Sequence, residues 1–211
     1  MANINANFSR VLGAAGIADR EIAQVHQVHG NITHVVSPGH VVNREKPDPK
    51  ADAIVTTDPH VVVAVRVADC APIVLESSDC RIVAAVHAGW RGAVSGVLTE
   101  AINVMRSLGA KDIRAAIGPC IGPAAFEVGP EVLMAFDMRF GTDRGITRAF
   151  ESGKGTINLK RALEIELSNA GITQYETLPH CTVSEPDLFF SHRRDNGMTG
   201  RMIGFIGPLC T

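Results

Sequence analysis

The chain has 211 residues, 45% of them apolar and 20% charged, a size at which roughly 70% of the unfolded surface can be buried within one domain. Such a composition excludes disorder, coiled coil and collagen. Twenty Lys and Arg stand against 22 Asp and Glu, a formal charge of −2, so no overall positive field holds nucleic acid or an anionic membrane.

No repeat, low-complexity tract or linker interrupts the sequence, and a single domain over residues 1–211 is expected. Ser9 to Ala15 reads as a short helix, with Val11, Leu12 and Ala15 on one face and Gly16 as its C-cap. Ile22–Val28 and Ile32–Ser37 read as two strands around a hairpin turn at His29-Gly30-Asn31, and Pro38–Lys50 as a polar loop. Four buried strands follow at Ala53–Thr56, Val61–Val67, Ile73–Ser77 and Arg81–His87, the last two joined by Ser78-Asp79-Cys80. From Ala93 to Leu108 apolar residues recur at three- and four-residue steps, which predicts one amphipathic helix ended by Gly109. Ile113–Ile117 reads as strand, Pro130–Phe140 as helix with proline at its first position, Leu159–Ala170 as helix and Arg201–Ile206 as a last strand. Helices interleave with hairpin-linked strands, which points to an α/β (α+β) fold, a mixed β-sheet packed with helices.

The apolar stretch Val61 to Leu75 is broken by Arg66, Asp69 and Pro72 and cannot supply the ~20 residues of a bilayer span. Met1 to Asn5 shows no basic residue ahead of an apolar run, so no secretory leader is readable and a cytoplasmic protein is expected. Five widely spaced cysteines, Cys70, Cys80, Cys120, Cys181 and Cys210, contain no Cys-x-x-Cys. They make a poor disulfide framework or zinc ribbon, and any role for them is read as individual.

A strand from Arg81 to His87 puts Val83, Ala85 and His87 on one face and Ile82, Ala84 and Val86 on the other. His87 then ends the strand before a glycine turn and a helix, where α/β proteins place ligand sites. Cys70 closes the apolar run of Val61–Val67, with Asp69 turned to the opposite face. One cysteine and two histidines match an open zinc site, with Zn–S ~2.3 Å, Zn–N ~2.0–2.1 Å and a fourth position for water. Plainer readings stay open. Cys70 suits a small buried hydrophobe, His87 a core histidine bonded to a carbonyl, and His29 competes with His26, which repeats its Gln-Val-His setting. Cys70 with His87 also has the makeup of a nucleophile and its base.

Seven segments taken in order resemble the laccase-domain family, also labelled polyphenol oxidase, which includes purine nucleoside phosphorylases. They are Gln27-Val28-His29-Gly30, Ala51–Thr56, Ala68-Asp69-Cys70, Ala85-Val86-His87-Ala88-Gly89-Trp90-Arg91-Gly92, Ile117–Pro123, Phe126–Gly129 and Phe189–Asp195. The resemblance runs from about Gln27 to Ile206, and the His-Ala-Gly-Trp-Arg-Gly segment is its most specific part. It implies zinc ligation by His29, Cys70 and His87, also the expected catalytic centre, with Gly30 selecting His29 over His26. The family's usual start carries a further Gly- and Ser-rich segment before an Asn-Arg pair. This chain reads Ser9-Arg10 there, so Arg10 is taken as the matching arginine and the upstream segment as missing.

The resemblance implies phosphorolysis of adenosine or inosine to free base and ribose 1-phosphate, with deamination of adenosine as a second activity. Purine nucleoside and phosphate are the expected partners, and no nucleic acid or membrane is. Arg10, Arg91, Arg193 and Arg194 are the candidate substrate-binding cations, with Arg201 a further one, since guanidinium offers a bidentate fork to an anion. Arg91 leads them because it lies between His87 and the expected start of the Ala93 helix. Gly118–Pro123 is a rigid loop without the Lys-Ser/Thr of a phosphate-binding P-loop. Three other functions are weighed. A copper polyphenol oxidase needs a further histidine-rich cluster of His-x-His pairs, and the eight histidines include none. A Cys70/His87 hydrolase and a non-catalytic zinc-binding protein are the others.

Overall fold

Valine- and alanine-rich runs in the middle of the chain form the heart of the fold in the structure, a computed structural model that describes residues 2–39 and 47–209. In chain order the first elements are α1 (Ala2–Ala14), β1 (Glu21–Ala23), β2 (Thr33–Val36), β3 (Ala53–Thr56), β4 (Val61–Val67), β5 (Ala71–Glu76) and β6 (Val83–Ala88). They are followed by α2 (Trp90–Ser95), α3 (Val97–Ser107), β7 (Arg114–Ile117), β8 (Glu127–Val128) and α4 (Pro130–Phe140). The last are β9 (Thr147–Ala149), β10 (Gly155–Ile157), α5 (Leu159–Asn169), β11 (Tyr175–Thr177) and β12 (Met202–Ile206).

A six-stranded sheet runs in the order β11-β7-β5-β6-β3-β2, antiparallel at its centre and parallel at both edge pairs. A three-stranded sheet, β1-β4-β12, lies against one face of it, and a small antiparallel sheet, β8-β10-β9, stands apart. The expected mixed α/β single domain is therefore present. The period of two along β6 separates two cores: Val83 and Ala85 join the one shared with β1 and β4, whereas Ala84, Val86 and Ala88 join the one beneath the helices. Because both faces are covered, every residue of β6 is buried. Leu98, Ile102 and Met105 of α3, Phe136 of α4 and Leu163 and Leu167 of α5 fill the helical core without exposure.

Several expectations are corrected. The first helix reaches back to Ala2, well before Ser9, and Gly16 follows it with φ 71°. The helix expected over Ala93–Leu108 is two helices, because Gly96 adopts φ 82° and ends α2 before α3 begins. The apolar stripe continues across this break because both pieces pack on the same core. Glycine cannot cap α3 with a side chain, and Glu166 of α5 does so instead: its Oε1 accepts from Thr99 N at 3.0 Å and Thr99 Oγ1 at 2.6 Å. The hairpin around His29-Gly30-Asn31 does not form, since β1 pairs with β4 and β2 with β3, in different sheets. Two- and three-residue strands β8, β9, β10 and β11 are too short to leave a period in the sequence. Part of the loop read over Pro38–Lys50, residues 40–46, lies outside the described residues. Among the described residues, no helix is long and apolar enough to cross a membrane.

Candidate metal centre

Three loop and strand ends converge on one point. His29 follows β1, Cys70 sits between β4 and β5, and His87 is near the end of β6. One ligand atom from each lies within 4.8 Å of the others, and the imidazoles meet edge to face at 4.9 Å between centroids. His87 is buried, Cys70 half-buried and His29 exposed, so the group opens outward on the His29 side.

Asp52, one residue ahead of β3 and fully buried, organises the two histidines. Its Oδ1 accepts His29 N at 2.9 Å and faces His87 Nδ1 at 2.9 Å, while its Oδ2 accepts Gly30 N at 2.6 Å and Val28 N at 3.2 Å. This carboxylate takes the place of a hairpin in turning residues 28–30, and it holds His29 at a left-handed φ of 61°, a conformation that costs a non-glycine residue energy. Burial opposes the charge on Asp52, but His87 and the amides of Gly30 and His29 keep its pKa below the usual carboxylate value. With Nδ1 engaged by Asp52, Nε2 is the nitrogen of His87 left to ligate.

Burial disfavours the Cys70 thiolate, yet hydrogen bonds from His29 and His87 bring its pKa down to about 7. Burial likewise disfavours a charged His87, but Asp52 and Cys70 raise it to about 9. Two imidazoles and a readily ionised thiol are a donor set for zinc or copper. Donor atoms all within 4.8 Å of one another are close enough to share one ion at the ~2.0–2.3 Å bond lengths of zinc. Gly89 keeps the approach open: a Cβ there would lie 2.9 Å from Cys70 Sγ and 3.2 Å from His29 Cδ2. The residues present fit a metal ion.

Asp69 turns away from this group, but not by strand alternation as expected, since β4 ends at Val67 and Asp69 lies in the turn before β5. At φ 85° its carboxylate accepts Thr182 Oγ1 and Arg193 N, each at 2.6 Å, and its carbonyl accepts Ile121 N at 2.9 Å. It fastens the strand end that carries Cys70 to two distant loops. Gln27, in the same motif as His29, does the equivalent for β4: its amide donates to Arg66 O at 2.7 Å and accepts Arg66 N at 2.8 Å.

The ligand group faces a cavity of about 580 Å³, lined also by Trp90, Phe126, His192, Arg66, Arg91 and Arg193. Arg91 falls in the first turn of α2, which starts at Trp90 and not near Ala93, and its guanidinium lies 4.4 Å from the Trp90 ring centre. Arg193 lines the cavity while its Nη1 donates to the carbonyls of Glu127 and Ala125. Arg194 is outside the lining, bound to Asp195, Thr182 O and Phe189 O. Arg10 is exposed on α1, also outside it. Arg201 lines the cavity and donates to Thr199 O and Gly200 O. The sequence alone assigns no role to Asp52 or Arg66. A lone acid at the head of the apolar run Ala53–Val55 was the available sign of the first, and an arginine interrupting the valines of β4 of the second.

Mixed sheets covered by helices, with a His-Cys-His group at converging strand ends, define a single-domain α/β protein with a candidate metal centre. The sequence profile of the family described as multi-copper polyphenol oxidoreductase laccase matches residues 1–208, and the chain belongs to that family. A Haemophilus influenzae protein named purine nucleoside phosphorylase is 42% identical over 164 residues, covering 74% of this chain and 64% of that one. A Mycobacterium tuberculosis protein of the same name is 33% identical over 207 residues, covering 97% of this chain and 79% of that one. Among solved structures, the hypothetical protein YfiH of Bacillus licheniformis superposes with a TM-score of 0.89 at 29% identity, covering 97% of this chain and 80% of that one. YlmD of Geobacillus stearothermophilus gives 0.85 at 30% identity, with 95% and 78% covered. This chain thus spans between about two thirds and four fifths of the length of these relatives.

Proposed function

We propose that the chain is a zinc-dependent purine nucleoside phosphorylase that also deaminates adenosine. In phosphorolysis a phosphate oxygen bonds to the ribose C1′ as the bond from C1′ to the purine nitrogen breaks. The base departs with that electron pair and takes up a proton, leaving ribose 1-phosphate. Deamination consumes water and releases ammonia. The observation that carries this reading is the His29-Cys70-His87 group facing a cavity whose other lining includes Arg66, Arg91 and Arg193. The names of the relatives support it.

His29, Cys70 and His87 would hold the zinc ion, which would supply Lewis-acid chemistry and make water a stronger nucleophile near neutral pH. The protein's own groups do the rest. Asp52 fixes His87 in orientation and turns the His29 loop. Arg91 and Arg66 carry guanidinium groups for phosphate or for a nucleoside oxygen. Trp90 and Phe126 provide aromatic surface in the same cavity, suited to a planar base. Arg193 serves as a third cation, tied to the loop that carries Phe126.

The test is chromatography of adenosine and inosine incubated with zinc-loaded protein, with and without phosphate. Phosphate-dependent release of adenine or hypoxanthine is expected. Arg91→Ala should keep zinc and thermal midpoint while weakening phosphate dependence about ten- to hundred-fold, the worth of one charge-assisted contact of roughly 1.5–3 kcal/mol. Arg91→Lys should recover only part of the loss, because it keeps the charge without the fork. No phosphate-dependent base and no inosine from adenosine would leave the non-catalytic metal protein in front. The same donor set also suits copper, so phenol oxidation by copper-loaded protein is the matching test of the polyphenol oxidase reading.

A further inference from the structure

Two cysteines that are distant in sequence and unused by the metal centre are brought side by side by the backbone. Cys120, in the loop after β7, and Cys181, beyond β11, are partners in an isolated parallel β-bridge, with Thr182 N donating to Cys120 O at 3.1 Å. Bridge partners place their side chains on the same side of a sheet, and adjacent strands lie ~4.7–4.9 Å apart. That spacing falls inside the ~4.4–6.8 Å Cα separation a disulfide accepts. Both thiols are free in the structure.

The two are chemically unequal. Cys120 is fully buried, its Sγ donating to Ile121 O at 3.6 Å. Cys181 is half-buried, so a small solute can reach it, and its Sγ accepts Gly122 N at 3.2 Å. A Cβ at position 122 would lie 3.1 Å from that sulfur, so glycine leaves the space beside it clear. Burial holds the Cys120 thiol up at about 12. At Cys181 burial acts the same way but is outweighed by hydrogen bonds from Ser184, Gly122 and Val183, which lower it. Cys181, the less buried of the two and the one with amide donors, is the side that a peroxide meets first, and Cys120 is the neighbour in place to resolve it.

We propose that Cys120 and Cys181 are a peroxide-sensitive pair that closes a reversible disulfide. The Cys181 thiolate attacks one oxygen of hydrogen peroxide. The O–O bond breaks, the peroxide is reduced by two electrons, and hydroxide leaves to take up a proton as water. The resulting Cys181 sulfenic acid is attacked by Cys120 sulfur; the S–O bond breaks, and the Cys120 proton leaves with that oxygen as a second water. Two thiols and one peroxide thus yield one disulfide and two waters, and an external thiol reverses the bond. The link would join the two loops that hold Asp69, through Ile121 N and Thr182 Oγ1, next to the ligand Cys70.

The experiment treats the metal-loaded full chain with hydrogen peroxide, alkylates remaining thiols and maps peptides by mass spectrometry without reductant. A joined peptide pair containing Cys120 and Cys181, lighter than its parts by two hydrogens, is expected. It should return to separate peptides with dithiothreitol and be lost in Cys181→Ser. Cys181 driven to sulfinic acid while Cys120 stays a free thiol, or Cys181 joined to Cys70, overturns the proposal. Should Cys120→Ser fail to fold, the wild-type map and Cys181→Ser still decide it.

Discussion

Asp52 and Glu166 are both almost wholly buried carboxylates, at 0% and 3% exposure, and each ties down a turn that contains glycine. Their charges fare oppositely. Asp52 has both oxygens engaged, by three backbone amides and His87, and its pKa is lowered. Glu166 has Oε1 engaged by the amide and hydroxyl of Thr99, with Arg139 at 3.8 Å, while its buried Oε2 has no hydrogen-bond partner. Burial therefore wins at Glu166, and its pKa is raised. Depth alone does not decide the state of a buried acid; the number of donors aimed at it does. At the metal centre the anion is fully provided for and holds two ligands in place. In the helical layer the anion caps one helix and leaves a cost behind.

Breaking the first half of this contrast should have the largest effect. Asp52→Asn replaces one acceptor oxygen with a donor, which faces either His87 or the amides of Val28 and Gly30. Metal affinity, read by competition with a chelator, is expected to fall about 10- to 100-fold, the usual cost of removing a group that orients a ligating histidine. An unchanged affinity would mean that the histidines are placed without the carboxylate. Gly89→Ala puts a methyl group against Cys70 Sγ and His29. Since ligands must hold position within ~0.5 Å, affinity should drop about tenfold or more while far-ultraviolet circular dichroism stays that of the wild type. Gly96→Ala is the counterpart in the helical layer. Its φ of 82° makes a side chain cost roughly 1–2 kcal/mol, a fall of roughly 2–8 °C in thermal midpoint for a domain of this size. Metal content should not change, and a loss of metal would show that the two regions are coupled.

The contrast also explains what could be read in advance. Cys70 and His87 stand out as polar residues at the edge of apolar runs, but their reading as ligands comes from the motifs of the resemblance, while β4 and α4 fall at Val61–Val67 and Pro130–Phe140 as their patterns predict. The break at Gly96 was hidden because the apolar positions on both sides face one core. The supposed hairpin at Gly30 failed for a related reason. Its flanking segments have the composition of paired strands, but the turn is set by Asp52, more than twenty residues away in sequence. A carboxylate that works by reaching across the fold leaves only an anomaly in its own segment. The same holds for Glu166, which looks like an ordinary polar position in a helix until Thr99 is brought to it.

The smallest expected effect concerns pH and tests the second half of the contrast. Glu166 has a folded-state pKa above its ordinary value of 4.5, so the folded chain holds this proton more tightly than the unfolded one. Its contribution to stability is thus fully present below about 4.5 and is lost as the pH rises through the higher folded value. Each unit of elevation corresponds to ~1.4 kcal/mol once the pH has passed it. Glu166→Gln keeps an oxygen for the two Thr99 donors and cannot ionise. The variant should match the wild type in acid and become the more stable of the two toward neutral pH, as measured by urea unfolding across that range. Should the variant instead lose stability at every pH by the same amount, the ionised Glu166 would be repaid by Arg139 at 3.8 Å, and the orphaned Oε2 would carry no cost.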